Sequence, residues 1–414
     1  MNILFVSEFF PPVNFGGAEW SSYYLARGLS QKKGFNVTVL TPDYKLKHQE
    51  RQESFKIIRF PYYLRIKKND QIPSNFHFIN PLWLIIMAFN IYKVSKELNV
   101  QIIHIQGKYS LVPARLASIF LKTKILMTVR DYILLCNYGL CLQKQNKACN
   151  LIQYYMYDFK RYINEYQSDK KIKTIFINLI YSLYGRTVST YLRIFSQGLT
   201  VVVLSKKQKE IYANNGYKKV FVIGNSIIIN NILPRTKKEN IVVYAGRLTP
   251  GKGVNLLINV IQEFLIKYPS FKFVFCGDGF YKDKINKLAQ IKKNIKLFTS
   301  LDHAKLLQLI AKSKLTVVPS VWQEPFGRVA LESLSQGTPT VVSNRGGLPE
   351  IIKNERWGYV VEPTEKKVLE GIIKGLKNNK RLTKYIKKDY GIIRKIFGSD
   401  IIDEYISIYK KLTL

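Results

Sequence analysis

The stretch Val317 to Gly347 reads VVPSVWQEPFGRVALESLSQGTPTVVSNRGG and decides how the rest of the chain is read. A short Val-rich strand ends at Pro319, a loop carries Glu324, and Pro325, Phe326 and Gly327 open a helix that includes Glu332. A helix start leaves backbone N–H groups unpaired and carries the positive end of the dipole, so it can hold a diphosphate without a side chain. The amides of Gly327, Arg328 and Val329 are so placed. Glu332, one to two turns inside the helix, can accept hydrogen bonds from a pair of ribose hydroxyls, as an acidic residue does in dinucleotide folds. Glu324, still on the loop, is expected nearer the sugar. Two glutamates eight residues apart are by themselves a weak signal that a solvated surface would also give; the strand before them, the Pro-Phe-Gly turn and the later Gly346-Gly347 loop give them weight.

Upstream, the strand Ile241 to Ala245 runs into Gly246, Arg247 and Leu248, then Gly251, Lys252 and Gly253. Two cations on one glycine-rich strand-to-helix turn can converge on one diphosphate, and the glycines let backbone approach closely. The GxxxxGK[ST] spacing of a P-loop is absent. Gly277-Asp278-Gly279 ends another strand and adds a third loop at the same sheet edge, where a plain βα turn would look alike.

Further strands of this second series are Lys272 to Cys276, Ile295 to Phe298, Leu315 to Pro319 and Thr340 to Ser343. An earlier series comprises Asn2 to Val6, Asn36 to Leu40, Ile102 to His104, Lys124 to Val129 and Thr200 to Leu204, with a glycine loop and a helix from about Ala18 after the first. Short Val, Ile and Leu runs between helical stretches are parallel strands covered on both faces. The expected fold is therefore α/β, with two doubly wound domains facing each other across a cleft. Boundaries are expected at residues 1–230, 231–395 and a C-terminal helix at 396–414 that can cross back to the first domain, with a hinge between Asn225 and Asn240. Residues 150–198 are expected to be a helical insertion, because Tyr154, Tyr155, Phe159 and Tyr162 interleave with Lys160 and Arg161. Such a segment either touches a membrane or lipid-linked acceptor or packs as an amphipathic hairpin.

At 414 residues, with 47% hydrophobic and 22% charged residues, the chain fits two globular domains and not a disordered protein. The apolar start Met1 to Val6 lacks the features of a signal peptide, and apolar runs such as Leu82 to Phe89 fall short of the ~20 residues of a membrane span. Four cysteines are too few for a disulfide framework, which points to a reducing, cytoplasmic setting and to buried free thiols. The formal net charge of +37 must find anions: nucleic acid, lipid headgroups or phosphorylated substrates.

From about Ile241 to Pro363 these motifs, in this order, resemble the retaining nucleotide-sugar glycosyltransferases of the large fourth family, whose two-Rossmann fold is called GT-B. The Pro11-Pro12 and Gly16-Gly17 loop before Glu19 also resembles the family, as does Ile223 to Asn225 at the crossing to the hinge. The resemblance implies that Arg247 and Lys252 stabilise the leaving diphosphate, Glu332 binds the ribose, and Glu324 contacts the transferred sugar. It implies a donor site that also takes in Gly16, Gly17, Gly277, Phe326, Gly327, Arg328 and Val329, with Glu19, Arg130 and Asp131 on the acceptor side. A nucleoside-diphosphate sugar as donor, a lipid-linked or glycan acceptor, an anionic membrane surface, retention, and no cofactor or bound metal complete the expectation.

One departure stands at Val129-Arg130-Asp131-Tyr132, where many relatives have a His before the Asp. Arg130 cannot serve as a general base near neutral pH; binding an acceptor phosphate is one alternative. Cys136, Cys141 and Cys149 resemble a Cys-containing loop of some relatives, and a zinc site is a lesser alternative to free thiols. His104 is left without a role, as a lone strand histidine. Other readings are a glycogen-type synthase, a sugar phosphorylase, for which no pyridoxal lysine is evident, and a basic nucleic-acid binder, for which no recognition motif is evident.

Overall fold

Apolar strands without polar alternation pair in parallel beneath helices on both faces. In the computed structural model, which describes residues 1–13, 16–45, 53–66, 73–138, 147–166, 172–226, 236–352 and 355–413, all strand pairings are parallel. The first sheet is ordered β3-β2-β1-β4-β5-β6-β7. It comprises β1 (Asn2–Val6), β2 (Asn36–Asp43), β3 (Lys56–Pro61), β4 (Ile102–Ile105), β5 (Lys124–Val129), β6 (Thr200–Val203) and β7 (Val220–Val222). The second is ordered β10-β9-β8-β11-β12-β13, from β8 (Glu239–Ala245), β9 (Lys272–Cys276), β10 (Ile295–Phe298), β11 (Ser313–Val318), β12 (Thr340–Ser343) and β13 (Gly358–Val361). Strand order reverses beside β1 and beside β8, which opens a crevice at the carboxyl ends of each sheet.

Three strands, β3, β7 and β13, lie outside the two expected series. All are sheet edges; β7 (VFV) and β13 (GYVV) are apolar but only 3 and 4 residues long, and β3 (KIIRFP) is broken by Arg59. The hinge expected at 225–240 falls mostly on residues 227–235, outside the described residues.

The helices that matter for the site are α1 (Gly17–Ser30), α2 (Pro81–Glu97), α3 (Leu111–Ile119), α4 (residues 151–166), α5 (Ile172–Ser196), α6 (Lys206–Asn214), α7 (Val254–Lys267), α8 (His303–Lys312), α9 (Arg328–Ser335) and α10 (Asp400–Thr413). Helices α4 and α5 form the insertion, and α4 contains a π-helical turn over Tyr154–Phe159. Tyr154 follows the packed-hairpin reading of this segment and is buried: its hydroxyl donates to Asn137 Oδ1 at 2.8 Å and its ring lies flat beside Tyr138. Exposed apolar residues of α4 are Leu151, Ile152, Met156 and Tyr157. Among the described residues no helix is long and apolar enough to cross a membrane.

The cysteine expectation needs correction. Cys136 and Cys276 are buried free thiols, but Cys149 is half of a disulfide, which removes the cysteine argument for a reducing compartment. Cys141 lies outside the described residues. Cys136 donates to Asp158 Oδ2 at 2.9 Å.

Helix α10 leaves the second half and buries Ile401, Ile402, Tyr405, Ile408 and Tyr409 against Ile3, Phe5, Ala26 and Leu29 of the first sheet and α1. His104 lies beneath it, fully buried, with Nδ1 at 2.7 Å from the Tyr409 hydroxyl and Nε2 at 2.7 Å from Thr128 Oγ1. Burial, followed by the nearby Arg130 charge, holds the imidazole well below its usual pKa, so it is a neutral core group. Tyr409→Phe strands one ring nitrogen in the core and should lower unfolding free energy by about 1–3 kcal/mol in urea titration; an unchanged midpoint would show that this contact does not hold α10 in place.

Candidate active site

Three strand ends meet around one carboxylate. Glu324, on the loop after β11, takes two hydrogen bonds from Lys252 Nζ, at 2.8 and 2.7 Å, one from Trp322 Nε1 at 2.7 Å and one from Ser320 Oγ at 3.0 Å. Lys252 belongs to the turn after β8 and also sits over the Trp322 ring. Burial by itself would push the Glu324 carboxyl up, but the Lys252 charge and these bonds hold it below its ordinary value. The loop after β12 clamps the arrangement: Gly347 N donates to the Glu324 carbonyl at 2.7 Å and Gly346 N to Gln323 Oε1 at 2.7 Å.

The glycines are dictated by this crowding. Gly253 has φ +72°, and a Cβ there would lie 1.9 Å from the Pro319 carbonyl oxygen. Gly346, at φ +58°, would place a Cβ 2.0 Å from the Glu324 carbonyl oxygen. Only residues without a side chain allow these loops to touch.

A cavity of about 310 Å³ lies between the two domains. Arg247, Thr249, Gly251, Lys252 and Trp322 line it from the second domain; Lys108, Asp131, Tyr132 and Asn137 are among those lining it from the first, and Tyr162 comes from α4. Arg247 and Lys252, expected to converge, thus share one wall. Lys252 is committed to Glu324, whereas Arg247 is exposed and makes no ion pair among the described residues. Asp131 accepts from Lys108 Nζ at 3.2 Å. The Tyr132 hydroxyl is buried and has no hydrogen-bond partner among the described residues.

Arg130 does not line this cavity. Its Nη1 donates to the Gln106 carbonyl at 3.3 Å, its Nε is buried without a partner among the described residues, and burial lowers its pKa. It faces Glu19, whose carboxyl is raised chiefly by burial against the pull of Arg130 and Arg328. These two residues, expected on the acceptor side, thus influence each other by charge without an ion pair or hydrogen bond between them among the described residues, apart from the wall that carries Asp131.

The helix start at Gly327 is formed as expected, with φ +114° at Gly327. Glu332 Oε1 accepts from Arg328 Nε at 2.7 Å and from His303 Nε2 at 2.8 Å, while Oε2 accepts no bond among the described residues. Burial opposes ionisation of Glu332, but Arg328 and His303 outweigh it and keep the pKa below the ordinary value. Arg328 also reaches across the cleft, donating from Nη1 to the Gly17 carbonyl at 2.6 Å. Arg328 is thus an interdomain strut as well as the start of α9. Gly277, at φ +150°, fits against the Gly246 carbonyl oxygen, 1.9 Å from where a Cβ would stand, and Phe326 packs in the second-domain core. Gly16 is open: a Cβ at that position would meet nothing within 4 Å.

Lys108, Tyr132, Trp322, Gln323 and His303 are site residues that the sequence alone does not single out. Trp322 and Gln323 stand inside the decisive stretch, next to Glu324; Lys108 follows a strand end by three residues, a signal shared by many surface lysines. His303, at the start of α8, stacks on Trp20 of α1.

The Lys252–Glu324 pair carries a pH signature. In the wild type the folded-state pKa of Glu324 is depressed, so its stabilisation is present above the ordinary 4.5 and is lost as pH falls through the folded value. In Lys252→Met only the Trp322 and Ser320 hydrogen bonds still oppose burial, so the folded pKa rises and the stabilisation present above about 4.5 is diminished. The stability gap between the two proteins should therefore widen from acid to neutral pH in denaturant titrations; a gap independent of pH would mean the pair contributes nothing. Gly253→Ala should destabilise the fold by about 1–3 kcal/mol or more, read from the same titrations.

Two family profiles match the chain: "Glycosyltransferase Family 4" over residues 15–230 and "Glycosyl transferases group 1" over residues 226–391. Spore coat protein SA of Bacillus subtilis (strain 168) is 27% identical over 190 residues, 42% of this chain and 49% of that protein, so the match spans about half the relative's length. Sucrose-phosphate synthase from Thermosynechococcus elongatus superposes with a TM-score of 0.71 at 18% identity, covering 99% of this chain and 98% of its own. Anabaena Alr3699/HepE in complex with UDP-glucose superposes with a TM-score of 0.65 at 16% identity, covering 99% of this chain and all of its own. With two parallel Rossmann-like sheets, the fold is that of the GT-B enzymes, and the chain belongs to the glycosyltransferases of family 4 and group 1.

Proposed function

We propose that this protein transfers a hexose from a nucleoside-diphosphate sugar to a lipid-linked or polysaccharide acceptor, with retention of anomeric configuration and without a metal or cofactor. The observation that carries the reading is the shared wall of Arg247 and Lys252 in an interdomain cavity, with Lys252 bound to Glu324 on the loop that leads to α9. As the bond from the sugar to the diphosphate oxygen breaks, negative charge grows on that oxygen, and prepositioned cations and amides stabilise it. Glu324, pinned by Lys252, Trp322 and Ser320, presents a fixed carboxylate toward the sugar. Glu332 offers Oε2 to a ribose hydroxyl while Arg328 and His303 hold Oε1. The solved complex of the Anabaena protein with UDP-glucose supports this class of donor.

The acceptor enters from the first domain, where Asp131 and Lys108 face the same cavity. The net charge of +37 supports work at an anionic membrane, peripheral to it and on the cytoplasmic side, where the leaflet is negative.

Thermal shift with UDP, GDP and ADP tests the donor class: one of them should stabilise the protein in a concentration-dependent way, and no response to any would refute it. Glu332→Ala should raise donor KM about tenfold to a hundredfold, since a hydrogen bond to a charged group contributes about 1.5–3 kcal/mol in ground and transition state alike. An unaltered affinity for the nucleoside diphosphate would exclude Glu332 as the ribose ligand.

A further inference from the structure

Helices of a soluble domain ordinarily turn charge toward water and apolar residues toward the core. In the first domain the opposite residues accumulate outside. Helix α2 buries Trp83, Met87 and Ile91, yet its other face shows Ile85 and Phe89; α3 buries Val112 and Ala117 and ends in exposed Ile119 and Phe120. Helix α5 buries Val188 and Leu192 and exposes Phe176 and Ile180. All six exposed side chains are more than half accessible, between 53% and 77%. The inward residues of the three helices join one core cluster, and α3 lies between α2 and α5, so the outward faces form one platform. Stacking of Phe76 on Tyr184 at 4.2 Å ties the approach to α2 onto α5. A patch of this kind on a monomer marks an interaction site.

Its charge selects the partner. Residues 76–196 hold 16 Lys and Arg against 5 Asp and Glu. Of those acids, Glu97 lies beside Lys93, Asp131 pairs with Lys108 and Asp158 is buried, so cations predominate over this stretch. Exposed Lys96, Lys122 and Lys124 border the apolar face, and Lys160 stands on α4. A second copy would set this basic rim against itself. An anionic bilayer satisfies both parts: apolar side chains enter the headgroup and acyl boundary, and lysines meet lipid phosphates. With no spanning helix among the described residues, the contact is interfacial.

We propose that the α2–α3–α5 face is the surface by which the protein docks on an anionic phospholipid bilayer. This rests on the glycosyltransferase reading and deepens it: the insertion that carries α5 also supplies Tyr162 to the interdomain cavity, so docking brings that wall close to the membrane. A lipid-linked acceptor then needs to move only its headgroup into the cleft.

The test is flotation of the full chain with phosphatidylcholine vesicles and with vesicles in which phosphatidylglycerol replaces part of the phosphatidylcholine. Wild type should float with the mixed vesicles, less as salt rises, and hydrogen exchange in α2 and α5 should slow on binding. Ile85→Glu and Phe176→Glu should each lower partitioning about tenfold or more, while Phe176→Leu keeps it. Folding of the variants is read from their thermal midpoints and stabilisation by UDP; should a glutamate variant misfold, exchange protection in the wild type decides. Equal partitioning onto both vesicle types, no protection of α2 and α5, or undiminished binding by the folded glutamate variants would overturn the proposal. So would a wild-type dimer that the same variants dissociate, since a second copy would then cover the face. If wild type responds to no nucleoside diphosphate, the enzymatic reading fails; if it responds and does not float, only the docking surface does.

Discussion

A buried carboxylate is costly unless a charged partner and hydrogen bonds accompany it, and breaking such a pair leaves the remaining charge stranded. Glu324 is in that position, and its partner Lys252 comes from a different strand end. The pair therefore fixes the turn after β8 to the loop after β11, and Gly346 and Gly347 fix the loop after β12 to both. The conformation of each loop depends on the other two, because Gly253 and Gly346 place backbone where no side chain would fit. With Lys252 committed, Arg247 remains as the exposed cation on the same wall. That division of labour suits a site in which one cation builds the cradle and both face the ligand.

Besides the stacking of His303 on Trp20, the first domain meets the second through contacts of three further kinds. Arg328 spans from Glu332 to the Gly17 carbonyl; Glu350 accepts from the Lys206 and Lys207 amides at 3.0 and 3.1 Å, at the N-terminus of α6; and α10 packs across α1 and β1. The Glu350 contact pairs a carboxylate with the positive end of a helix, favourable in charge and in hydrogen bonding. The Arg328 contact touches Glu332 itself, so occupancy at Glu332 and the separation of the domains share one residue.

Much of this was legible because the strands that carry the site are buried on both faces and their loops need glycine. The run Val317 to Gly347 showed a strand, a loop, a helix start and a glycine clamp, and the structure has them in that order. Edge strands β3, β7 and β13 were not legible, because β7 and β13 are short apolar runs of 3 and 4 residues and β3 is interrupted by Arg59. Long-range pairs were equally hidden. Nothing local marks Lys108 as the partner of Asp131, or His303 as the partner of Glu332, since each pairing depends on how separate elements pack. Which of the two readings of the 150–198 segment applies to Tyr154 was hidden for the same reason: its sequence neighbours are basic and aromatic, yet it is buried with a hydrogen bond to Asn137. Cys149 escaped because pairing of thiols is not readable from spacing alone.

The most direct measurement is turnover of the stabilising nucleotide sugar in the presence of a chelator, for wild type and for Arg247→Met and Lys252→Met. If fixed cations stand where other enzymes use a metal, the wild type keeps its rate in chelator. Each variant then loses on the order of 10²-fold in kcat, as expected when a donor to a developing oxyanion is removed. Near-normal kcat in both variants, or loss of wild-type activity in chelator with recovery on adding Mg²⁺ or Mn²⁺, would contradict a diphosphate site built from Arg247 and Lys252.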